Sequence, residues 1–428
     1  MSIVEAIRKS DILKLFTGRV VVQVTTILQS IIIARLLGPE GKGEFTEIIM
    51  WPTLIASFSM LGLYTAIVRI SAKKNISERF NITKSVIRCT SITGLVGVFV
   101  AYVVNSIYFK NSAIETVAQI YAIYVLIYNV NRGLSAINNG QGNMGILSIS
   151  SSILNPCYFL MLLILYCCNY ITLGSTLIAL LLANFCSLVF LYIKRQRTSN
   201  KKLLSPKWIL KHSVKFAPAD FSEPMYAYYD KAVIALLLNP YELGLYTVAY
   251  SAAGLSNLIS STFSVKLFSD VAQGKTNNLG QMIRLNIILM VLMSVVLCVF
   301  LPFAIPLVYG NDYIPSVLPS LLLLPICIFQ GQSMIVERSI LAKGLPFVGV
   351  KAKVVTMVMF FVIAVILKVG NVSNLYTLIL ALFLCQIIYF TILILKLRSI
   401  FKDISISPQI ADIVYLYQSL KKLFISKK

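Results

Sequence analysis

Arg19, Gln23, Thr26 and Ser30 step along the chain by 4, 3 and 4 positions, a spacing that puts all four on one face of a helix. Arg35 stands at the end of that stripe. A second stripe, Asp220, Glu223, Ala227 and Asp230, steps by 3, 4 and 3, with Lys231 beside it. Glu47, Arg69 and Arg132 interrupt other apolar stretches, a hydroxyl-rich run from Ser251 to Thr262 precedes Lys266, and Gln330, Gln332, Glu337 and Arg338 form a further polar group. Guanidinium groups pair bidentately with phosphate oxygens, and carboxylates held away from water bind a cation or a proton. Arg19, Gln23, Arg35, Arg69, Arg132, Lys231, Lys266 and Arg338 are therefore the candidate contacts to an anionic substrate. Asp220, Glu223, Asp230 and Glu337 are the candidates for a coupling ion, Na+ or H+. For Arg35, Arg69, Lys266 and Arg338 an equal reading is snorkelling to lipid headgroups. Asp230–Lys231 and Glu337–Arg338 are sequence neighbours, which do not share a helix face, so each is expected to find another partner.

Catalytic chemistry has no comparable footing. HExxH, GxSxG and GxxxxGK[ST] are all absent, which removes the residues that metalloprotease, hydrolase and P-loop readings need. The single histidine, His212, lies in a basic stretch, and the eight cysteines lack metal-ligand spacing and read as packing residues. No enzyme activity, metal or cofactor is expected.

The elements that must position the charged residues follow from composition. Of the 428 residues, 58% are AVILMFWYC and 13% charged, and the mean hydropathy is +0.83. A span needs about 20 apolar residues, which gives an all-α integral membrane protein of about twelve transmembrane helices. The spans are expected near 12–37, 45–70, 85–108, 114–136, 146–168, 171–193, 213–238, 241–268, 282–308, 314–341, 346–368 and 374–396. Pro218 and Pro224 should bend the seventh. Lys and Arg crowd the segments around 73–84, 194–211 and 396–428, while the alternate turns hold Lys42, Lys110 and Lys368. That asymmetry puts both termini in the cytoplasm. The net charge of +22 is thus topogenic and does not indicate nucleic acid. The polar Met1–Asp11 stretch ahead of a full-length span is not a cleavable signal peptide.

The chain divides into a lobe at 1–193, a basic cytoplasmic linker at 194–212, a second lobe at 213–397 and an amphipathic tail at 398–428. In the tail, Ser407-Pro408 suits a helix start, Ile410, Ile413, Val414, Tyr417 and Leu420 share a face, and its lysines suit anionic headgroups. The lobes are related. IARLLGPEGKGEFT (Ile33–Thr46) aligns with IALLLNPYELGLYT (Ile234–Thr247), with identities that include Pro39/Pro240 and Gly43/Gly244. Both copies run in the same direction across the bilayer, so the two pseudo-symmetric six-helix lobes relate by an axis along its normal, as in transporters that rock about a central substrate.

ARLLGPEGKGEFTEI (34–48), DKAVIALLLNPYELGLYTVAYS (230–251) and LVYGNDYIPSVLPSLLLLP (307–325) carry a family likeness. The chain resembles Wzx-type polysaccharide and O-antigen flippases of the multidrug/oligosaccharidyl-lipid/polysaccharide (MOP) superfamily over nearly its whole length. The resemblance implies a MATE-like fold of two six-helix lobes around a V-shaped cavity. It implies export of an undecaprenyl-diphosphate-linked glycan from the cytoplasmic to the outer leaflet of the bacterial inner membrane, coupled to an ion gradient. A polysaccharide polymerase and a chain-length regulator, besides membrane lipids, are the implied partners. Arg19 matches the first-span arginine of the related lipid II flippases, but their two further C-terminal spans have no counterpart here. A MATE-type drug/cation antiporter is the nearest alternative, and its cavity should be acidic. A polysaccharide polymerase or ligase would need a sizeable external loop, and every external turn here is short.

Overall fold

The computed structural model describes residues 10–73, 80–195, 202–274 and 279–401, with backbone alone at 10–23, 144, 148, 151, 265, 269 and 272. The amphipathic tail beyond residue 401 lies outside the described residues. Among the described residues every regular element is a helix.

Helix α1 runs Ser10–Ser59, interrupted at Gly38 (φ 70°, ψ −179°) immediately before Pro39. Proline has no N–H to lose at the first turn of a helix, so the interruption falls where a new turn can start. A corner at Leu61 and Gly62, both at positive φ, leads into α2 (Leu63–Ser71). A Cβ on Gly62 would collide with the backbone of Ser213, Phe216 and Ala217, so this corner closes only around glycine. There follow α3 (Ile82–Tyr108), α4 (Glu115–Tyr121), α5 (Tyr124–Gly140), α6 (Met144–Cys167) and α7 (Leu173–Ile193). After the linker come α8 (Pro206–Ser213), α9 (Ala217–Leu237), α10 (Pro240–Ala253) and α11 (Asn257–Ala272). The last four are α12 (Leu279–Tyr309), α13 (Val317–Ala342), α14 (Pro346–Val369) and α15 (Leu375–Ile400). Side chains fix several starts: Asn81 accepts the Lys84 N–H, and Thr172/Ser175 and Asn374/Thr377 form capping boxes.

Seven of the described helices are long and apolar enough to cross a membrane, or eight if Val24–Ser59 and Leu63–Ser71, which meet at 51°, form one span. The chain is a multi-pass, all-α membrane protein. The expectation of about twelve spans is not reached by this measure, and the shortfall falls where helices are interrupted or charged. The span expected at 114–136 breaks between Tyr121 and Tyr124, and that at 241–268 breaks at the 3-10 turn Gly254–Ser256. The seventh, 213–238, carries Asp220, Glu223, Asp230 and Lys231 on α9. Its Pro218 sits in the first turn, where a missing N–H is tolerated, and the break lies just before it at the 3-10 turn Val214–Phe216.

The helices pack into two units. One comprises Val22–Ala235 with Asn239–Gly244, and the other takes the rest, chiefly Leu245 onward. Helix α9 as far as Ala235 thus packs with the first unit. That unit has one core around Ile33, Phe45, Ile48, Tyr121 and Leu162, and another around Leu63, Ile67, Val86, Leu134 and Ile209. Polar contacts join its helices: Asn105 Nδ2 donates to the Ala118 carbonyl at 2.6 Å, and the Asn129 amide meets Ser59 Oγ at 2.8 Å. In the second unit Asn286 Nδ2 donates to Ser260 Oγ at 3.1 Å and Ser316 Oγ to the Leu245 carbonyl at 3.1 Å. Small and hydroxylated residues that let helices approach and bond are the usual adhesive where apolar burial against lipid supplies no drive. Phe99, Ile107, Phe303, Leu307 and Val369 remain exposed, as lipid-facing side chains do.

The repeat has a structural consequence within the first unit. A Cβ on Gly43 would overlap the Pro240 carbonyl, and a Cβ on Gly244 would overlap the Pro39 carbonyl. The two repeat turns therefore cross reciprocally, proline of each copy over glycine of the other, which is the contact a local two-fold rotation produces.

Candidate functional site

Helix α2 receives polar side chains from two other helices, Arg132 of α5 at Tyr64 and Asp220 of α9 at Thr65. Arg132 on α5 is exposed and lays its guanidinium over the Tyr64 ring, with Cζ 4.2 Å from the centroid and 6.0 Å from that of Tyr128. Tyr121, Tyr124, Tyr128 and Arg132 step by 3, 4 and 4 and so share one face of the α4–α5 stretch. Tyr121 and Tyr124 stack at 5.3 Å, and Tyr124 meets Tyr128 at 5.7 Å. Asn139 Nδ2 donates to the Tyr64 hydroxyl at 3.0 Å, which holds the ring beneath the arginine. The ring faces quench none of the cation's charge, and the planar N–H edge of the guanidinium is the part that engages oxygen anions.

Asp220 on α9 meets the next residue of α2. The Thr65 N–H donates to its Oδ2 at 3.1 Å and the Thr65 hydroxyl to its Oδ1 at 2.5 Å. Helix α2 begins at Gly62, which has no side chain to cap it. Asp220 supplies that missing acceptor from another helix, with its negative charge at the positive end of the α2 dipole. Both oxygens of this carboxylate are thereby engaged by α2, an arrangement that fits a structural cap more directly than an ion carrier.

Lys231 corrects an expectation. Its Nζ donates to the Ala227 carbonyl one turn back at 3.2 Å, lies 3.7 Å from Asp230 Oδ1, and sits 5.5 Å from the Tyr228 centroid. Neighbouring Cβ atoms diverge on a helix, but the lysine stem is long enough to fold back to its own neighbour. Asp230 is only 4% exposed. Arg69 is exposed, with its guanidinium 4.5 Å over the Phe216 ring, while Glu223 and Arg35 are exposed at other points of the unit. The backbone of α1 runs through Arg19 and Gln23, whose side chains lie outside the described residues.

The remaining candidates belong to the second unit. Arg338 is exposed and Lys266 half-buried. Glu337 does leave its sequence neighbour: its Oε1 accepts from Lys353 Nζ at 2.8 Å and its Oε2 from the Tyr389 hydroxyl at 3.0 Å. Lys353, 3% exposed, escaped the sequence reading. Its signal was available, since it lies well inside the apolar run 346–368 and an ionisable group there needs a partner. Tyr64 and Thr65 were also missed, because neither is unusual in sequence and both matter through contacts distant along the chain. Among the described residues no group of three or more His, Cys, Asp and Glu could hold a metal ion.

Comparison with known proteins identifies the family and the fold. A family described as "Polysaccharide biosynthesis protein" matches residues 9–268, which contain every element of the first unit's cluster. The chain belongs to that family. This polysaccharide biosynthesis family member, a polytopic membrane protein, matches no curated protein. Its fold is similar to that of the lipid II flippase MurJ in an inward closed conformation, with a TM-score of 0.75 at 16% identity over 96% of this chain and 92% of that one. It is also similar to an inward-facing multidrug resistance MATE transporter of the MOP superfamily, with a TM-score of 0.68 at 13% identity over 90% and 96%. A MOP transporter from Pyrococcus furiosus, whose reverse polarity of binding pocket suggested a different function, gives 0.60 at 13% identity over 91% and 94%. The fold of the family member is thus the MATE/MOP fold, and its sequence carries no catalytic motif.

Proposed function

We propose that this protein is a flippase that moves an undecaprenyl-diphosphate-linked oligosaccharide repeat unit from the cytoplasmic to the outer leaflet of the inner membrane. It does so by alternating access of two six-helix lobes (1–193 and 213–397), with both termini cytoplasmic and with coupling to a Na+ or H+ gradient. The carrying observation is a family match to polysaccharide biosynthesis that spans a cation presented on aromatic rings, Arg132 over Tyr64 and Tyr128. A diphosphate and a chain of sugar hydroxyls each lose several kcal/mol per unpaired polar group in hydrocarbon. A guanidinium edge offsets the phosphate part of that cost, and tyrosine faces and hydroxyls suit sugar rings.

Arg132 and Arg69 are assigned to the anionic headgroup, joined by Arg19 and Gln23 on the first stripe and by Lys231. The buried Asp230 and the exposed Glu223 are assigned to the coupling ion. Arginines around the cluster favour an anionic cargo over the cationic drugs of an antiporter. Product then passes to a polymerase and chain-length regulator on the far side.

Deleting the gene should trap lipid-linked repeat units on the cytoplasmic face, where an external glycosidase or lectin cannot reach them, and expression in trans should release them. An unchanged distribution of these units across the membrane would refute the reading.

A further inference from the structure

The start of α3 and the segment entering α8 wall an apolar groove lined by Phe80, Leu203, Leu204, Ser205 and Trp208. Backbone pairing builds it: the Asn81 N–H donates to the Lys202 carbonyl at 2.8 Å, and the Leu204 N–H donates to Ser85 Oγ at 2.9 Å. Helix α8 buries Ile209, 1% exposed, yet leaves Trp208 38% exposed with its indole against the His212 ring at 4.1 Å. One face of this short helix is therefore anchored in the protein, and the other offers an aromatic wall.

Among the described residues, the charge on the two segments that wall the groove has a single sign. Lys202 Nζ lies 5.6 Å from the Phe80 centroid, and Lys84, Arg88, Lys207 and Lys211 are exposed on the same two segments. Residues 80–88 and 202–216 contain no Asp or Glu. An apolar slot beside lysines, with a tryptophan at its lip, is complementary to an acyl chain that ends in a phosphate. Tryptophan favours the headgroup level of a bilayer, and basic clusters beside a span attract anionic lipid.

We infer that this groove is a binding site for an anionic phospholipid of the surrounding bilayer, with the acyl chain against Phe80, Leu203 and Trp208 and the phosphate met by Lys202 and Lys207. The inference is independent of the cargo assigned above. A zwitterionic lipid fills the slot equally well but gains less from the lysines, because its own ammonium offsets the phosphate charge, so net headgroup charge is the discriminating variable.

The test is retention of phosphatidylglycerol against phosphatidylcholine by the purified full chain, read by native mass spectrometry after graded delipidation. Wild type should retain phosphatidylglycerol at least tenfold better. Lys202→Gln with Lys207→Gln should bring that preference close to one. Trp208→Ala should weaken both lipids by a similar factor, while Trp208→Phe should keep most of the binding and shows that the fold survives. Lys343→Gln with Lys351→Gln, exposed lysines of the second unit, should leave the preference intact. Equal retention of the two lipids by wild type would overturn the site, as would an undiminished preference in the Lys202/Lys207 variant or its loss in the Lys343/Lys351 variant. Stronger retention of a polyprenyl phosphate than of phosphatidylglycerol would overturn it as well.

Discussion

Gly43 and Gly244 hold equivalent positions in the internal repeat, and each lies against the backbone carbonyl of the other copy's proline, Pro240 and Pro39. A methyl group at either glycine meets backbone, which cannot rotate away as a side chain would. Overpacking of this kind costs about 1–3 kcal/mol. Gly43→Ala and Gly244→Ala should each lower the thermal unfolding midpoint in detergent. The double variant should fall short of the summed loss, because the first methyl already pries the crossing open. Gly145→Ala is the control: among the described residues no atom beyond its own helix turn lies within 4 Å of the added methyl, and alanine is the better helix former by about 1 kcal/mol. An unshifted midpoint for Gly43→Ala would show that the crossing is loose.

Arg132 separates charge from geometry. Its guanidinium is exposed and held on Tyr64, so removing it should change transport far more than stability. Arg132→Ala should reduce surface polysaccharide at least tenfold, and Arg132→Lys should be intermediate, since an ammonium keeps the charge without the planar donor edge. Tyr64→Leu should cost a few-fold, in line with a cation–π contribution of about 0.5–2 kcal/mol. Tyr64→Phe keeps the ring and loses the Asn139 bond, so its effect should be smaller. Quantifying polymer at matched protein level checks the series, and wild-type output from Arg132→Ala would remove this residue from the site.

What the sequence made legible was mostly backbone information. Pro39 and Gly43 announced a turn, their recurrence at Pro240 and Gly244 announced a repeat, and both turned out to matter because the turns touch. Continuous apolar runs such as 282–308 and 374–396 became α12 and α15 with little change. The interruption at 122–123 was not legible, because that site has neither proline nor glycine, whereas the break at 254–256 begins at Gly254, a residue that weakens a helix. Partner choice was hardest to read. The charged residues were found as types, but Asp220 finds Thr65 at a separation of 155 positions and Glu337 finds Lys353 on another helix. Spacing along one helix reports a face and is silent about what the face meets.

Asp220 should behave as a helix cap. Thr65→Val removes the hydroxyl donor and leaves the Thr65 N–H bond, whereas Asp220→Ala removes both acceptors. Loss of a cap costs about 0.5–2 kcal/mol, so Asp220→Ala should lower the unfolding midpoint clearly and Thr65→Val by less. Asp220→Asn retains one acceptor oxygen and should recover part of the stability. If Asp220 instead carried the coupling ion, Asp220→Asn would abolish gradient-driven transport at unchanged stability. Midpoints measured beside transport rates in imposed Na+ and pH gradients separate the two.

The Lys353–Glu337–Tyr389 group bears on coupling in the second unit. The ammonium sits 2.8 Å from Glu337 Oε1, and its side chain is 3% exposed. Removing one member of a buried pair typically costs about 3–5 kcal/mol, whereas replacing both by apolar groups is often close to neutral. Lys353→Met should therefore unfold at a markedly lower temperature than wild type, and Glu337→Leu added to it should restore much of the loss. Glu337 has 23% of its side chain exposed, so the penalty should fall at the lower end. In wild type the lysine is the resident cation, and Na+ should leave the midpoint unmoved. In Lys353→Met the carboxylate loses that partner while keeping the Tyr389 hydroxyl, and added Na+ should raise the midpoint relative to equimolar choline. A sodium response already present in wild type and abolished by Glu337→Gln would show instead that Glu337 binds the ion directly and that Lys353 yields to it.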